Sequence, residues 1–315
     1  MSDGPVRFLA LLGPTASGKS ALAMAVAEKT PAEIVACDSQ QVYVGMDVGT
    51  AKPTADERRR VPHHGLDLCP PDQTFHAARW AAVARAAIHD IAARGRLPIV
   101  VGGTGLYYRA LTAGLFEAPP PDPALRARHR AVADSEGVEA LRARLLAVDP
   151  ESAAAIGPRD LVRISRALEV YEQTGHTIGA LRRQAAAPRD LAPVALLLDP
   201  PLAVLRARIA ARVQAMLAAG FLDEVRALRQ AGYGTGSRPM QALGYQQLAA
   251  VLDGTTTAEA AAAEIARVTL AYARRQRTWF KKERIAARFP EPPPADVVLR
   301  LLAPSSRVSA SEARE

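Results

Sequence analysis

Asparagine does not occur anywhere in this 315-residue chain, so the Asn-Lys-x-Asp signature with which GTPases read guanine cannot be present. Cysteine is limited to Cys37 and Cys69, with no C-x-x-C spacing and no histidine cluster to complete a zinc site, which points to a reduced, cytoplasmic protein. Long apolar runs are missing too. The N-terminal run ends at Gly13-Pro14, no basic segment precedes it, and nothing approaches the roughly 18 apolar residues of a membrane span. Neither a leader nor a membrane anchor is therefore expected. Lysine is scarce: Lys19, Lys29, Lys52, Lys281 and Lys282 stand among 40 basic residues. A GC-rich coding bias exchanges Lys for Arg but does not create the net charge of +8, so a polyanionic partner is expected, nucleic acid first.

What is present reads as an α/β protein. Hydrophobic residues make up 49% of the chain, enough for one large core with an inserted or appended subdomain. Short apolar runs at 6–12, 33–37, 97–101 and 194–198 alternate with amphipathic stretches at 19–29, 76–94 and 200–219. That alternation implies crossover connections and a P-loop-type, doubly wound parallel sheet covered by helices on both faces. Residues 1–121 and 189–289 are assigned to this core. Between Pro119-Pro-Pro121 and Pro188 the strand pattern vanishes and Arg, Ala and Glu recur at helical spacing, so 122–188 is expected to be a helical insertion. After 198 the chain reads as helical to about residue 288, and 290–315 as a Pro-rich, unstructured tail.

The segment GPTASGKS, residues 13–20, follows the first apolar run directly and opens a helix. It fits G-x-x-x-x-G-K-[ST], the phosphate-binding loop. Gly13, Pro14, Thr15, Ala16, Ser17 and Gly18 form the turn that aims backbone N–H groups at linked phosphates. Lys19 supplies a point charge, and the Ser20 hydroxyl is placed to hold Mg2+. The second run ends in Asp38-Ser39-Gln40-Gln41, the third in Gly102-Gly103-Thr104-Gly105. In a parallel sheet these strand ends face the same crevice as the loop. Asp38 there can hold Mg2+ or act as a base on an incoming nucleophile, and Thr104 offers a hydroxyl to a phosphate or to Asp38.

The blocks GPTASGKS, DSQQVYVGMDVGTAKP, VPHHGLDL, VGGTGLYYRAL, RISRALEVYE, QALGYQQL and RRQRTWF together resemble the tRNA dimethylallyltransferase (tRNA isopentenyltransferase) family in its bacterial form, over roughly residues 6–289. The resemblance implies transfer of a dimethylallyl group from dimethylallyl diphosphate to N6 of the adenosine 3′ of the anticodon in tRNA, with Mg2+. The loop would then hold a leaving group, where departing diphosphate accumulates negative charge. Asp38 and Thr104 match the family's catalytic positions, Asp38 as general base. Residues 13–20 with Arg208 and Arg212 match its diphosphate site. The tRNA contacts fall on Asp38, Ser39, Gln40, Gln41, Thr104, Arg126, Val162, Arg163, Ile164, Ser165, Arg166, Gln241, Ala242, Leu243, Gly244, Tyr245 and Gln246. An enzyme working as a monomer on the anticodon stem-loop is implied.

Two other readings use the same loop: a small-molecule kinase, in which ATP would occupy it, and an adenylate isopentenyltransferase acting on a free nucleotide. A third is an RNA-binding module whose loop only senses nucleotide. Neither a metabolite kinase nor a free-nucleotide transferase needs an Arg-rich helical insertion. Tyr107, Tyr108, Tyr245 and Trp279 are possible stacking surfaces that read more readily as core, and His63-His64 reads as structural.

Overall fold

The computed structural model describes residues 4–115, 119–184, 188–234, 236–237 and 239–303. Two compact units emerge, one of Met1–Thr112 with Arg189–Glu315, the other of Ala113–Pro188.

The larger unit begins β1 (Val6–Leu12), α1 (Lys19–Ala27), β2 (Ala32–Cys37), α2 (Ala55–Arg60), β3 (His63–His64), α3 (Ala77–Ala93), β4 (Leu97–Gly102) and α4 (Gly105–Ala113). The smaller unit holds α5 (Pro123–Glu136), α6 (Val138–Val148), α7 (Pro150–Ala155), α8 (Leu161–Thr174) and α9 (Ile178–Gln184). The larger unit resumes with β5 (Leu191–Leu198), α10 (Leu202–Ala218), α11 (Phe221–Gln230), α12 (Tyr245–Leu252), α13 (Ala258–Phe280), β6 (Ala287–Phe289) and α14 (Ala295–Leu302).

All six strands are parallel, in the order β3-β2-β4-β1-β5-β6. Because successive side chains on a strand point to opposite faces, the central strands divide their apolar residues between two cores. Phe8, Ala10, Leu12, Val35 and Val100 pack with α3, α4 and α10–α13. Leu9, Leu11, Ile34, Ile99 and Val101 pack with α1 and α14. Both faces are covered, as runs without polar alternation require.

The four apolar runs are the four long strands, but two edge strands escaped the pattern. β3 and β6 span two and three residues, too short to carry a period. A second correction concerns the tail. The segment after Pro294 is not unstructured: α14 buries Ala295 and Val298 in the core shared with α1, and Lys29 Nζ donates to Asp296 at 2.7 Å. Three prolines disguise a helix whose apolar face has a partner elsewhere in the chain. Residues 304–315 lie outside the described residues.

His63 and His64 hold the edge of the sheet. His63 Nδ1 lies 2.7 Å from Val61 O, and His64 Nε2 lies 2.7 Å from Glu33 Oε2. Glu33, on β2 and 1% exposed, also accepts hydrogen bonds from Arg94 and from Arg96 Nη1 at 2.9 Å. The Arg94 bond leads in drawing its carboxyl down to about 2, against the opposing effect of burial. A depressed carboxylate stabilises the fold above its unfolded pKa and loses that contribution as pH falls toward the folded one. Glu33→Gln should therefore lower stability at pH 7 by about 1–3 kcal/mol. It should also flatten the fall in stability between pH 4.5 and 2. Urea unfolding at stepped pH checks this, and an unchanged acid limb would refute it.

Candidate active site

The loop between β1 and α1 makes its turn through glycine. Gly13 has φ +147°, and a Cβ there would strike Leu198 O, so β1 and β5 can approach only with glycine in place. Gly18 caps α1 without any side-chain hydrogen bond, which leaves the first-turn amides and their dipole open to an anion. Lys19 is buried, its Nζ donating to Pro14 O at 2.6 Å and Ser17 Oγ at 3.3 Å. Burial, reinforced by the nearby Arg212 cation and opposed by Asp38, brings its pKa down to about 7. Arg208 and Arg212, one turn apart on α10, line a hollow of about 270 Å³ together with Ala16–Ala21. Four positive groups thus surround one small space: Lys19, two arginines and a helix N-terminus.

The ends of β2 and β4 form the opposite wall. Asp38 Oδ1 accepts from Gln40 N at 2.8 Å, a local turn that fixes the carboxylate just beyond the strand. Thr104 Oγ1 accepts from Ser39 N at 3.1 Å, and Thr104 N donates to Cys37 O at 3.3 Å. Thr104 thus holds the turn that carries Asp38.

A cavity of about 680 Å³ joins these parts. It is lined by Thr15, Lys19, Ser20, Asp38–Gln41, Gly102, Gly103, Arg212, Gln241–Leu243 and Tyr245, with Ile209, Val213, Met216, Phe221 and Ile265 as its apolar side. The charged end suits a diphosphate, the apolar side a short hydrocarbon, and Asp38 with Gln40 and Gln41 a polar base edge. Tyr245 is fully buried: its ring meets Phe221 edge-on at 4.9 Å and its hydroxyl donates to Glu224 at 2.6 Å. It lines the wall as part of the packing. Tyr107 and Tyr108 are core residues, Tyr107 stacked on Trp80 at 5.0 Å. Arg109 lies over the Trp279 ring at 4.5 Å.

In the smaller unit the expected RNA contacts separate. Arg163 and Val162 are exposed on α8. Ile164 is fully buried with Leu141 and Leu145, and Ser165 Oγ lies 2.9 Å from His129 Nδ1. Neither side chain can meet RNA here, which corrects the expectation for both. A helix turns one face inward, so five consecutive positions cannot all face solvent. Arg126 and Arg166 both pair with the buried carboxylate of Glu169, at 3.2 and 2.8 Å. That carboxylate also accepts from Asp122 N, so both arginines hold the unit together.

Sequence reasoning missed the contribution of α13. Tyr272, Arg275, Gln276 and Thr269 line the cavity. The Tyr272 hydroxyl lies near the side chains of Thr104 and Gln276, and burial pushes it up to about 12. Positions 269, 272 and 276 share one helix face, a polar stripe that helical spacing could have exposed. Also missed was Glu224, whose carboxylate accepts from Asp47 N, Val48 N and Gly49 N at 2.8, 2.6 and 3.0 Å and so holds the loop bearing the cavity wall.

The model for IPP transferase matches residues 41–283, and that for isopentenyl transferase matches residues 6–64. The chain belongs to the IPP transferase family. A tRNA dimethylallyltransferase of Anaeromyxobacter dehalogenans is 53% identical, covering 89% of this chain and 93% of that one. One from Sorangium cellulosum is 48% identical, covering 90% of each. Among solved structures, the Bacillus halodurans tRNA isopentenylpyrophosphate transferase is 35% identical, covers 94% of this chain and 97% of that one, and has a TM-score of 0.66. A eukaryotic dimethylallyltransferase acting on tRNA is 26% identical, covers 87% and 69%, and has a TM-score of 0.70. The chain is accordingly a prenyltransferase with the P-loop type of α/β fold, and among its described residues no helix is long and apolar enough to cross a membrane.

Proposed function

We propose that this enzyme transfers the dimethylallyl group of dimethylallyl diphosphate to N6 of the adenosine 3′ of the anticodon in tRNA, releasing diphosphate. The observation that carries the reading is the single cavity in which the phosphate loop, Asp38 and the apolar wall meet. The donor's diphosphate lies against Lys19, the α1 amides, Arg208 and Arg212, and its five-carbon chain along Val213, Met216 and Ile265. As the C1–O bond breaks, its electron pair stays on the diphosphate, where fixed positive groups already stand. The N6 lone pair forms the new C1–N bond, and Asp38 takes the proton that N6 must lose. To reach Asp38 the adenine must leave its stack, as in other base-modifying enzymes.

No cluster of three or more His, Cys, Asp or Glu side chains able to hold a metal occurs among the described residues. Mg2+ fits the donor set nonetheless, because it commonly takes one or two protein oxygens and completes its shell with water and phosphate. The exposed hydroxyl of Ser20, which lines the same cavity, would hold it together with water and phosphate oxygens, and it would neutralise charge on the leaving diphosphate.

The deciding experiment supplies radiolabelled dimethylallyl diphosphate with unmodified tRNA, or with AMP, without ATP. Label on the tRNA is expected. Label on AMP alone, or a requirement for ATP, would overturn the reading in favour of an adenylate transferase or a kinase. For RNA binding by the smaller unit the informative substitution is Arg163→Ala. Removing Arg126 or Arg166 would take one of two cationic partners from the buried Glu169 and so disturb the fold as well. One lost phosphate contact should weaken tRNA binding and reduce the slope of log K against log salt by about 0.7–0.9, leaving donor affinity unchanged. Filter binding at four salt concentrations reads this, and an unaltered slope would refute it.

A further inference from the structure

Arg208, Arg212 and Met216 recur at every fourth position of α10, so they share one helix face at successive turns, each about 6 Å beyond the last. The two arginines belong to the diphosphate hollow. Met216, half-buried against the core, is the apolar member one turn further from the phosphates, and with Ile209, Val213, Phe221 and Ile265 it lines the apolar side of the main cavity. On the other side of that wall lies a second hollow of about 660 Å³, between α10 and the segment 47–58. Ala215 and Ala219 line it on the helix, Val48, Pro53 and Ala55 on the segment facing it. Ala51, Arg212 and Met216 line both spaces. Ala51 offers only a methyl and the Arg212 cation serves the diphosphate, so the flexible Met216 thioether is the part of the wall that an apolar chain meets.

We propose that Met216 is a specificity-determining residue that limits the donor to a single five-carbon unit, by closing the main cavity against the hollow beyond. This deepens the reading of that cavity as the donor site and rests on it. With the diphosphate held at Arg208 and Arg212, the hydrocarbon runs along the α10 face toward Met216, and a dimethylallyl group ends against the thioether. The second isoprene unit of a ten-carbon allylic diphosphate would need the space this side chain fills. Overfilling a packed apolar wall forces side chains off their rotamers, and even one methylene in such a pocket changes kcat/KM by about 10–200-fold. The hollow beyond has the apolar lining to receive that unit once the wall opens. Its charged groups are already engaged, Lys52 with Asp47 and Asp67, and Arg58 with Asp67.

The test measures binding of two unreactive donor analogues by calorimetry, dimethylallyl and geranyl S-thiolodiphosphate, in which sulfur replaces the bridging oxygen. Inorganic diphosphate is titrated beside them, and a thermal melt verifies the folding of each variant. The wild type should prefer the dimethylallyl analogue by at least ~10-fold. Met216→Ala should shift the ratio of the two affinities toward the geranyl analogue by ~10–100-fold. Adding Ala215→Phe should reverse that shift, because Ala215 lines the second hollow and not the main cavity. Met216→Phe gives an independent reading should the Ala variant fail to fold: the larger side chain should weaken the dimethylallyl analogue relative to inorganic diphosphate by ~10-fold. Equal affinity of the wild type for the two analogues, an unchanged ratio in folded Met216→Ala, or a geranyl gain that Ala215→Phe leaves in place would overturn the inference. So would a Met216→Phe variant that binds the dimethylallyl analogue as the wild type does. Each of these outcomes leaves the donor site standing. Failure of the wild type to bind the dimethylallyl analogue at all would overturn both.

Discussion

Asp38→Asn should lower the single-turnover rate of prenyl transfer by ~10²–10⁴-fold, the usual contribution of a positioned base, while donor affinity stays within a few-fold of the wild type. The amide oxygen can still accept from Gln40 N, as Asp38 Oδ1 does at 2.8 Å, so the turn and Thr104 keep their places. What is lost is a group able to take the N6 proton. Asp38 also raises the pKa of Lys19 and that of Arg212 by its charge, so the variant should hold Lys19 neutral to a slightly lower pH. Donor binding is therefore best compared at about pH 5.5, well below the Lys19 value of about 7, where the amine stays charged in both proteins. Near-normal turnover in the folded variant would move the base elsewhere in the cavity.

Lys19→Met should weaken donor binding by ~10–100-fold, the loss of one charge-assisted interaction. It should lower the rate further, by ~10²–10³-fold, because the charge on the leaving diphosphate grows as the bond breaks. The near-neutral pKa of Lys19, about 7, adds two signatures. At pH 8 the wild-type amine is mostly neutral and the diphosphate recruits its charged form, so donor binding should take up a proton. The variant should lose that uptake, which calorimetry in buffers of different ionisation enthalpy detects. The folded-state pKa lies below that of an unfolded lysine, so the unfolded chain binds more protons between about pH 7 and 10, and wild-type stability rises with pH across that window. The substitution should therefore raise Tm more at pH 6 than at pH 9.5. Donor binding as tight as in the wild type, or proton uptake that persists, would show that Lys19 does not meet the diphosphate.

The parts of this site that were legible in the sequence are those whose chemistry is local. Apolar runs of five to seven residues set between amphipathic stretches read as buried strands, and GPTASGKS must turn where Gly13 and Gly18 stand. A residue just past a parallel strand must face the crevice, so Asp38 and Thr104 were found from their offsets alone. The helical content of 122–188 was equally plain, since Arg, Ala and Glu at helical spacing admit little else.

What escaped depends on partners far along the chain. Gln276 meets Thr15 across 261 residues, and Glu169 meets Arg126 across 43. Nothing near either residue marks one as a brace on the phosphate loop or the other as a buried anion that binds two arginines. Tyr245 read more readily as core than as a stacking surface, but only the fold shows that Glu224 and Phe221 enclose it. Ile164 sat within a contact motif until the helix turned it inward. α14 looked like a polar tail until α1 supplied the apolar face that holds it. Backbone preference and apolar periodicity act over a few residues and can be read in order along the chain. Burial and charge pairing arise only when distant segments exclude water from each other, so the sites they create exist in the folded protein alone.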